Sequence, residues 1–359
     1  MVAAKPSIAH LVGSARRVAF VGLAKNTGKT QTLTSVLGEL ERAGVRVGVT
    51  SIGRDGERKD AIDPRIEKPP VRLARDSLVA STEALLRASG VAYERLARTR
   101  VRTPLGVVVV ARLAEAGAVE VAGPSTGEEL REVCDAMIEL GASKALIDGS
   151  IDRRAASAPA VAGGLVLATG AVLGESVAEV VAATVDAVEV IGLPEMDPVG
   201  EEPVTIARQT ALGGEPQRLA AMLEEHARAS TFAVDGALSE RLLQGLVVAR
   251  RARLKRDGRD GRDARDERNA RDERDRRVER ELRIVARDPT RVFLSEHGPS
   301  WYERQGIRIE VRETIDLRAI TVNPVAPRSH RLDSHELREA IVQAIPDVPV
   351  IDVLDPDYY

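Results

Sequence analysis

Cysteine is nearly absent from this chain. Cys134 is the only one in 359 residues, which excludes an internal disulfide and a cysteine-built metal cluster and fits a reducing compartment. Five scattered histidines offer no ligand cluster of the kind a metal carrier needs. Aromatic residues make up 2% of the chain, too few for the stacking platforms that bind single-stranded nucleic acid. No apolar run approaches the length of a membrane span, and Met1 to Ser14 has no continuous apolar core of the signal-peptide type. The net charge of −3 supplies no basic field for nucleic acid or an acidic membrane face. These absences lead us to expect a soluble, cytoplasmic protein with no membrane partner.

What is present is an apolar fraction of 43%, drawn from Ala, Val, Leu and Ile, which suits parallel strands buried under helices. The most informative stretch is Arg17 to Thr32. Val18 to Val21 reads as a buried strand, Leu23 to Thr27 as a loop enclosed by Gly22 and Gly28, and Thr30 to Leu40 as a helix. Strand, glycine-bounded loop, Gly-Lys-Thr and helix form the setting of a phosphate-binding loop. In such a loop the backbone N–H groups and the helix N-terminus face the phosphates. Gly22, Lys25, Asn26, Thr27, Gly28, Lys29, Thr30 and Gln31 are therefore the expected nucleotide-binding residues. Lys29 would reach the β- and γ-phosphates in a catalytic role, and the Thr30 hydroxyl would ligate Mg²⁺. The spacing departs from G-x-x-x-x-G-K-[ST] by one added residue.

Further along, Gly44 to Ile52 reads as a second strand, followed by an acidic turn with Asp55, Glu57, Asp60 and Asp63. Asp55 lies nearest the strand's carboxyl end and is the candidate to orient Mg²⁺ or the attacking water, with an acidic surface loop as the alternative. Pro69 to Thr82 reads as a short strand or hairpin before a helix from Glu83 to Ser89. The β-branched run within Thr103 to Arg112 suggests a central parallel strand. Thr126 and Glu129 have capping-box spacing, and the helix to Leu140 carries an apolar stripe. Leu146-Ile147-Asp148-Gly149 then resembles a strand-terminal Walker B aspartate, so Asp148 is expected to hold Mg²⁺ opposite Thr30. Arg153 or Arg154 would face a transferring phosphoryl group or form surface ion pairs.

Strand, small-residue loop and helix recur from Ala162, with Thr169-Gly170-Ala171 shaped for close backbone approach and a return strand expected at Ala187 to Leu193. From Arg256 to Arg283 arginine recurs every third residue among Asp, Glu, Gly and Ala. That period makes no coherent helical face, and the interspersed acids cancel a nucleic-acid-binding field. The tract reads as a low-complexity insertion, either a solvated helix or a linker. Strands resume near Arg291, Ile307 and Leu317, then a helix at Ser334 to Ile345 and a last strand. Asn323 ends a strand, where its amide would read a base edge or simply open an Asn-Pro turn. The expected fold is α/β: a mostly parallel P-loop NTPase sheet with helices on both faces and a charged insertion. Its expected parts are a core at 1–250, the Arg/Asp-rich insertion at 251–283, and a segment at 284–359 that completes or packs on the core.

The longer loop resembles the branch of P-loop proteins that includes dethiobiotin synthetase and the MinD-like NTPases. Lys25 resembles that branch's extra lysine but sits one place nearer Gly28, so no role across a dimer is carried over, although a homodimer stays open. An Asn placed as Asn323 is would contact adenine by the same resemblance. The guanine-selecting Asn-Lys-x-Asp motif is absent, since Asn26, Asn269 and Asn323 are the only asparagines. Gly-Leu-Ala-Lys-Asn-Thr-Gly-Lys-Thr, Val-Thr-Ser-Ile-Gly-Arg-Asp-Gly-Glu, Leu-Ile-Asp-Gly-Ser-Ile-Asp-Arg-Arg and Ile-Thr-Val-Asn-Pro together resemble the ATPase subunit of the lysine 5,6-aminomutase reactivase. The resemblance implies ATP and Mg²⁺ as cofactors, a second reactivase subunit and an adenosylcobalamin-dependent mutase as partners, and release of damaged cobalamin as the task. The chain lacks the base-off cobalamin motif, because Ile8 stands where Asp would precede His10. Two other classes fit the same residues: a dethiobiotin-synthetase-like ATP-dependent metabolic enzyme, and a nucleotide-state switch or metallochaperone.

Overall fold

A computed structural model describes residues 7–52, 70–149, 156–197, 202–263, 281–327 and 329–354. Asp55, Glu57, Asp60, Asp63, Asp152, Arg153, Arg154 and most of the arginine tract lie outside the described residues. The chain divides into two compact units, Met1–Ala187 with Ile315–Tyr359, and Val188–Thr314.

The larger unit is α/β. It holds β1 (Arg17–Gly22), β2 (Val47–Ser51), β3 (Val71–Leu73), β4 (Leu78–Thr82), β5 (Tyr93–Thr103), β6 (Gly106–Leu113), β7 (Gly117–Val119), β8 (Lys144–Asp148), β9 (Gly164–Gly170), β16 (Leu317–Asn323) and β17 (Val350–Asp352). Nine of these form one sheet, in the order β17-β16-β9-β1-β8-β2-β4-β6-β5. From β17 to β4 every pairing is parallel, while β6 runs antiparallel to both β4 and β5.

Burial explains the parallel part. β2, β4 and β9 are buried at every position and β1 at all but its first, which requires cover on both faces. Helix α2 (Lys29–Arg42) turns Leu33, Val36, Leu37 and Leu40 inward at helical spacing. Leu33 and Val36 share a cluster with Val47 and Val49 of β2. Gly48, between those valines, faces the other way: a Cβ there would stand 2.8 Å from Met137 Sδ, on α4 (Gly127–Glu139). Side chains alternate across a strand, so α2 and α4 cover opposite faces. Thr126 caps α4, accepting from Glu129 N at 3.3 Å and donating to its carboxylate at 3.0 Å. The capping reading of that pair holds. Cys134 is buried in α4, and burial pushes its thiol up to about 12, the state of an unreactive packing residue.

Three expectations change. The run at 106–113 is not a central parallel strand: Thr103 and Gly106 pair across a two-residue turn, and so short a link can join only antiparallel strands. The 71–82 segment does not form a hairpin, since β3 pairs with β7 and β4 with β2 and β6. Residues 187–191 are helical, the end of α5 (Val177–Ile191). No breaker precedes Gly192 and Pro194, and β-branched residues cost a helix only tenths of a kcal/mol each, roughly, when tertiary contacts hold it.

The smaller unit has its own parallel sheet, β10 (Val204–Ile206), β11 (Thr231–Val234), β13 (Leu282–Ala286) and β15 (Ile307–Val311), adjacent in that order. Phe232, Ile284, Tyr302 and Ile307 are buried in its core with Leu242, Leu243 and Leu246 of α8 (Glu240–Asp263). The compositional boundaries expected at 250 and 283 both fall inside this unit. β11 and β13, which lie on either side of the arginine tract, pair with each other. β16 and β17, which follow residue 315, belong to the sheet of the larger unit.

Candidate functional site

β1 ends at Gly22, flanked by the ends of β8 and β9. Carboxyl ends of neighbouring parallel strands are where open α/β sheets build their sites. The chain then turns sharply. A Cβ on Gly22 would collide with Thr27 Oγ1, so the loop folds back over the strand end. Thr27, itself buried, donates its hydroxyl to Ala24 O at 3.0 Å. Leu23 N donates to Ala168 O at 3.0 Å, pinning the loop to β9. Asn26 and Gly28 both adopt left-handed backbone, φ 65° and 87°. Gly28 is the N-cap of α2, and glycine there avoids the strain a side chain would bring. Lys25, Asn26 and Gln31 are exposed, Lys29 and Thr30 half-buried.

Lys29 opens α2 and turns towards β8, with Nζ 2.6 Å from Asp148 Oδ1. Both side chains are mostly covered, at 19% and 17% exposure, and Asp148 Oδ1 has no aligned hydrogen bond to share with the ammonium. Gly149 N donates to Phe20 O and Ile52 N to Asp148 O, at 2.9 and 3.3 Å, so Asp148 is locked between the ends of β1 and β2. The sequence-predicted pair of phosphate-loop lysine and strand-terminal aspartate is thus brought together.

Asn323 lies at the other side of β1, at the end of β16. Its Nδ2 donates to Asn26 O at 2.9 Å, and its Oδ1 accepts from Val325 N at 3.1 Å. Both ends of the amide are engaged within the chain, with Nδ2 on the loop. Two residues earlier, on the same face of the strand, Thr321 Oγ1 meets Thr32 Oγ1 at 2.8 Å. The Thr169-Gly170-Ala171 loop also has internal reasons for its residues. Thr169 Oγ1 lies 2.7 Å from Thr184 Oγ1, and a Cβ on Gly170 would overlap Asn323 O.

Between that loop and the segment after β16 lies a cavity of about 330 Å³ whose lining includes Asn26, Val172, Leu173, Glu175, Ser329 and His330. Ligand pockets begin at roughly this volume. His330 Nε2 is 3.0 Å from Gly174 O and Nδ1 2.9 Å from Ser329 Oγ. The carbonyl can only accept, which assigns the proton to Nε2. His330 and Ser329 carry no local motif, and the carbonyl His330 meets, Gly174 O, is 156 residues away in sequence, so no signal in the sequence marked them.

The residues fit a magnesium-bound triphosphate. Asp148 supplies a shielded carboxylate oxygen with no aligned hydrogen bond, Thr30 a hydroxyl at the helix start, and Lys29 a cation beside them. Among the described residues no group of three or more His, Cys, Asp or Glu gathers to hold a metal. A magnesium site of this kind needs only one or two protein oxygens, because phosphates and water complete it. No helix among the described residues is long and apolar enough to cross a membrane. No protein-family model, no curated protein and no solved structure matches the chain, which leaves its own side chains to speak for its chemistry.

Proposed function

We propose that the chain binds a nucleoside triphosphate with Mg²⁺ at the Gly22–Thr32 loop and hydrolyses it. The observation that carries this is the Lys29–Asp148 pair, 2.6 Å apart where β1 and β8 end side by side. Two opposite charges held there have a simple use. Lys29 would pair with phosphate oxygens in place of Asp148, and the Asp148 carboxylate and Thr30 hydroxyl would hold the metal. Bound Mg²⁺ would neutralise charge on the phosphate oxygens. Backbone N–H groups at the start of α2 add a fixed positive pole. The cavity beside Asn26 takes the base and ribose between apolar Val172 and Leu173 and the polar edge of Ser329 and His330. Adenine is the preferred base on the sequence, and Asp55 remains the proposed orienting acid for the attacking water.

The role we attach to this hydrolysis comes from the sequence resemblance: an ATPase subunit of a reactivating factor for an adenosylcobalamin-dependent aminomutase. A ligand moves a protein only through unequal affinity for two of its states, and an exchange of Lys29 from carboxylate to phosphate provides such a difference. Equilibrium binding of ATP and GTP with and without Mg²⁺ tests the core of the reading. Magnesium-dependent affinity is expected, tighter for ATP, and its absence for every nucleoside triphosphate ends the proposal. Lys29→Ala should lower hydrolysis by about 10²–10³-fold. Capture of partners by that variant with ATP should retain a mutase; retention of itself alone would point instead to a nucleotide switch.

A further inference from the structure

We propose that Asn323 is a positioning residue for the phosphate loop, acting through the Asn26 carbonyl, and does not read the base. This rests on the nucleotide-binding reading above.

The geometry begins with the amide's orientation. Val325 N can only donate, so the atom it reaches at 3.1 Å is Oδ1. Nδ2 is thereby turned to the loop, where it donates to Asn26 O at 2.9 Å. The amide cannot flip without losing both bonds. In a trans peptide the C=O and the next N–H point in opposite directions, and there are no cis peptides in the described chain. Holding the Asn26 carbonyl towards β16 therefore fixes the direction of the Thr27 N–H, one of the loop's donors. Asn26 needs this hold, because a non-glycine residue at φ 65° is in a sparsely favoured region.

Packing reinforces the hold. A Cβ on Gly28 would lie 3.0 Å from Asn323 Cβ, and one on Gly170 would lie 3.0 Å from the same atom. Asn323 is wedged between the two glycines, so the end of β16 braces the last turn of the loop before α2. The Thr321–Thr32 contact at 2.8 Å ties the first turn of α2 to the same strand. The chain beyond Asn323 goes on to line the cavity, with Ser329 and His330. A single strand end thus sets both the loop and one wall of the pocket.

The two possible roles separate with a ligand that has no base. Magnesium tripolyphosphate and Mg·ATP are titrated into the full chain, wild type and variants. Asn323→Ala should weaken both by the same factor, on the order of tenfold for one lost hydrogen bond to an ordered loop. Asn323→Asp keeps the contact with Val325 N but turns a carboxylate oxygen on the Asn26 carbonyl. It should weaken both ligands further. Hydrogen exchange of the 23–30 backbone in ligand-free protein should rise in both variants, while exchange in β2 and β8 stays at the wild-type level. Weaker ATP binding with unchanged tripolyphosphate binding would overturn the proposal in favour of base contact, as would unchanged loop exchange. A wild-type chain that binds neither ligand would overturn the nucleotide reading itself, and the exchange measurement would still judge whether Asn323 holds the loop.

Discussion

The two units use one grammar, parallel strands with helical links, but spend their polar groups differently. In the smaller unit charged side chains serve the fold. The Glu240 carboxylate accepts from Ser295 N and Oγ, Glu296 N, His297 N and the Tyr302 hydroxyl, at 2.6 to 3.1 Å. Burial alone would push its carboxyl up, yet those donors outweigh it and hold it at about 2. Tyr302 is pushed up by burial and by the Glu240 charge. Arg283 and Arg308 both pair with buried Glu310. Arg253 donates to Leu223 O and Ala227 O near the end of α7 (Pro216–Glu225), at 3.2 and 2.9 Å, a cation where a helix exposes carbonyls. In the larger unit Lys29 and Asp148 face each other where three strands end. Glu240 is completed by donors of its own fold, whereas the Lys29–Asp148 pair stands where β8 ends beside the glycine-bounded loop.

A double dissociation would break or sharpen that contrast. Lys29→Ala should abolish most hydrolysis while leaving hydrogen exchange at 282–311, in the smaller unit, at the wild-type level. Glu240→Gln should do the reverse, removing a charge that several donors converge on. A loss of about 3 kcal/mol is expected from the smaller unit, since hydrogen bonds to a charged group contribute ~1.5–3 kcal/mol. Urea unfolding followed by hydrogen exchange at 282–311 measures it, with nucleotide affinity unchanged as the control.

Acid gives a weaker version of the same test. The Glu240 carboxyl is depressed from 4.5 to about 2, so the folded state binds its proton less readily than the unfolded chain does. Its stabilisation is complete above about pH 4.5 and is lost as pH falls through about 2. The smaller unit should therefore lose stability across that window in the wild type, and Glu240→Gln should flatten the slope. An equal slope in both proteins would remove Glu240 as the cause. The smallest effect belongs to the cap of α4: Thr126→Ala should cost about 1 kcal/mol, read as a shift in the thermal midpoint. Hydrolysis should be unaffected, because Thr126 and Glu129 bond to each other.

Much of this was legible in the sequence wherever the cause is local. The run Val18 to Val21, the glycines at 22 and 28 and the Leu-Ile-Asp-Gly segment put Lys29 at a helix start and Asp148 at a strand end without any knowledge of the pairing. Direction and partnership were not legible. A β-branched run such as Val107 to Val110 signals burial whichever way it runs, and the short turn at Pro104 and Leu105 decides the direction. β5 was hidden because Arg95, Arg98, Arg100 and Arg102 are exposed on it, as suits the outer strand of a sheet. The role of Asn323 could not be read at all, since its partner is 297 residues away. Asp55 stays a sequence inference.

The placement of β16 has a consequence for how the protein is made. This strand lies beside β9 in the sheet, but the whole of Val188–Thr314 separates them along the chain. A ribosome therefore releases β1, the Gly22–Gly28 loop and Asp148 long before the strand that bonds to that loop. Until residue 323 emerges, the nascent loop has no Asn323 to hold its left-handed turn. Closure over so long a separation is slow, so the Gly22–Gly28 loop should reach its final shape late, after the inserted unit has had time to fold first.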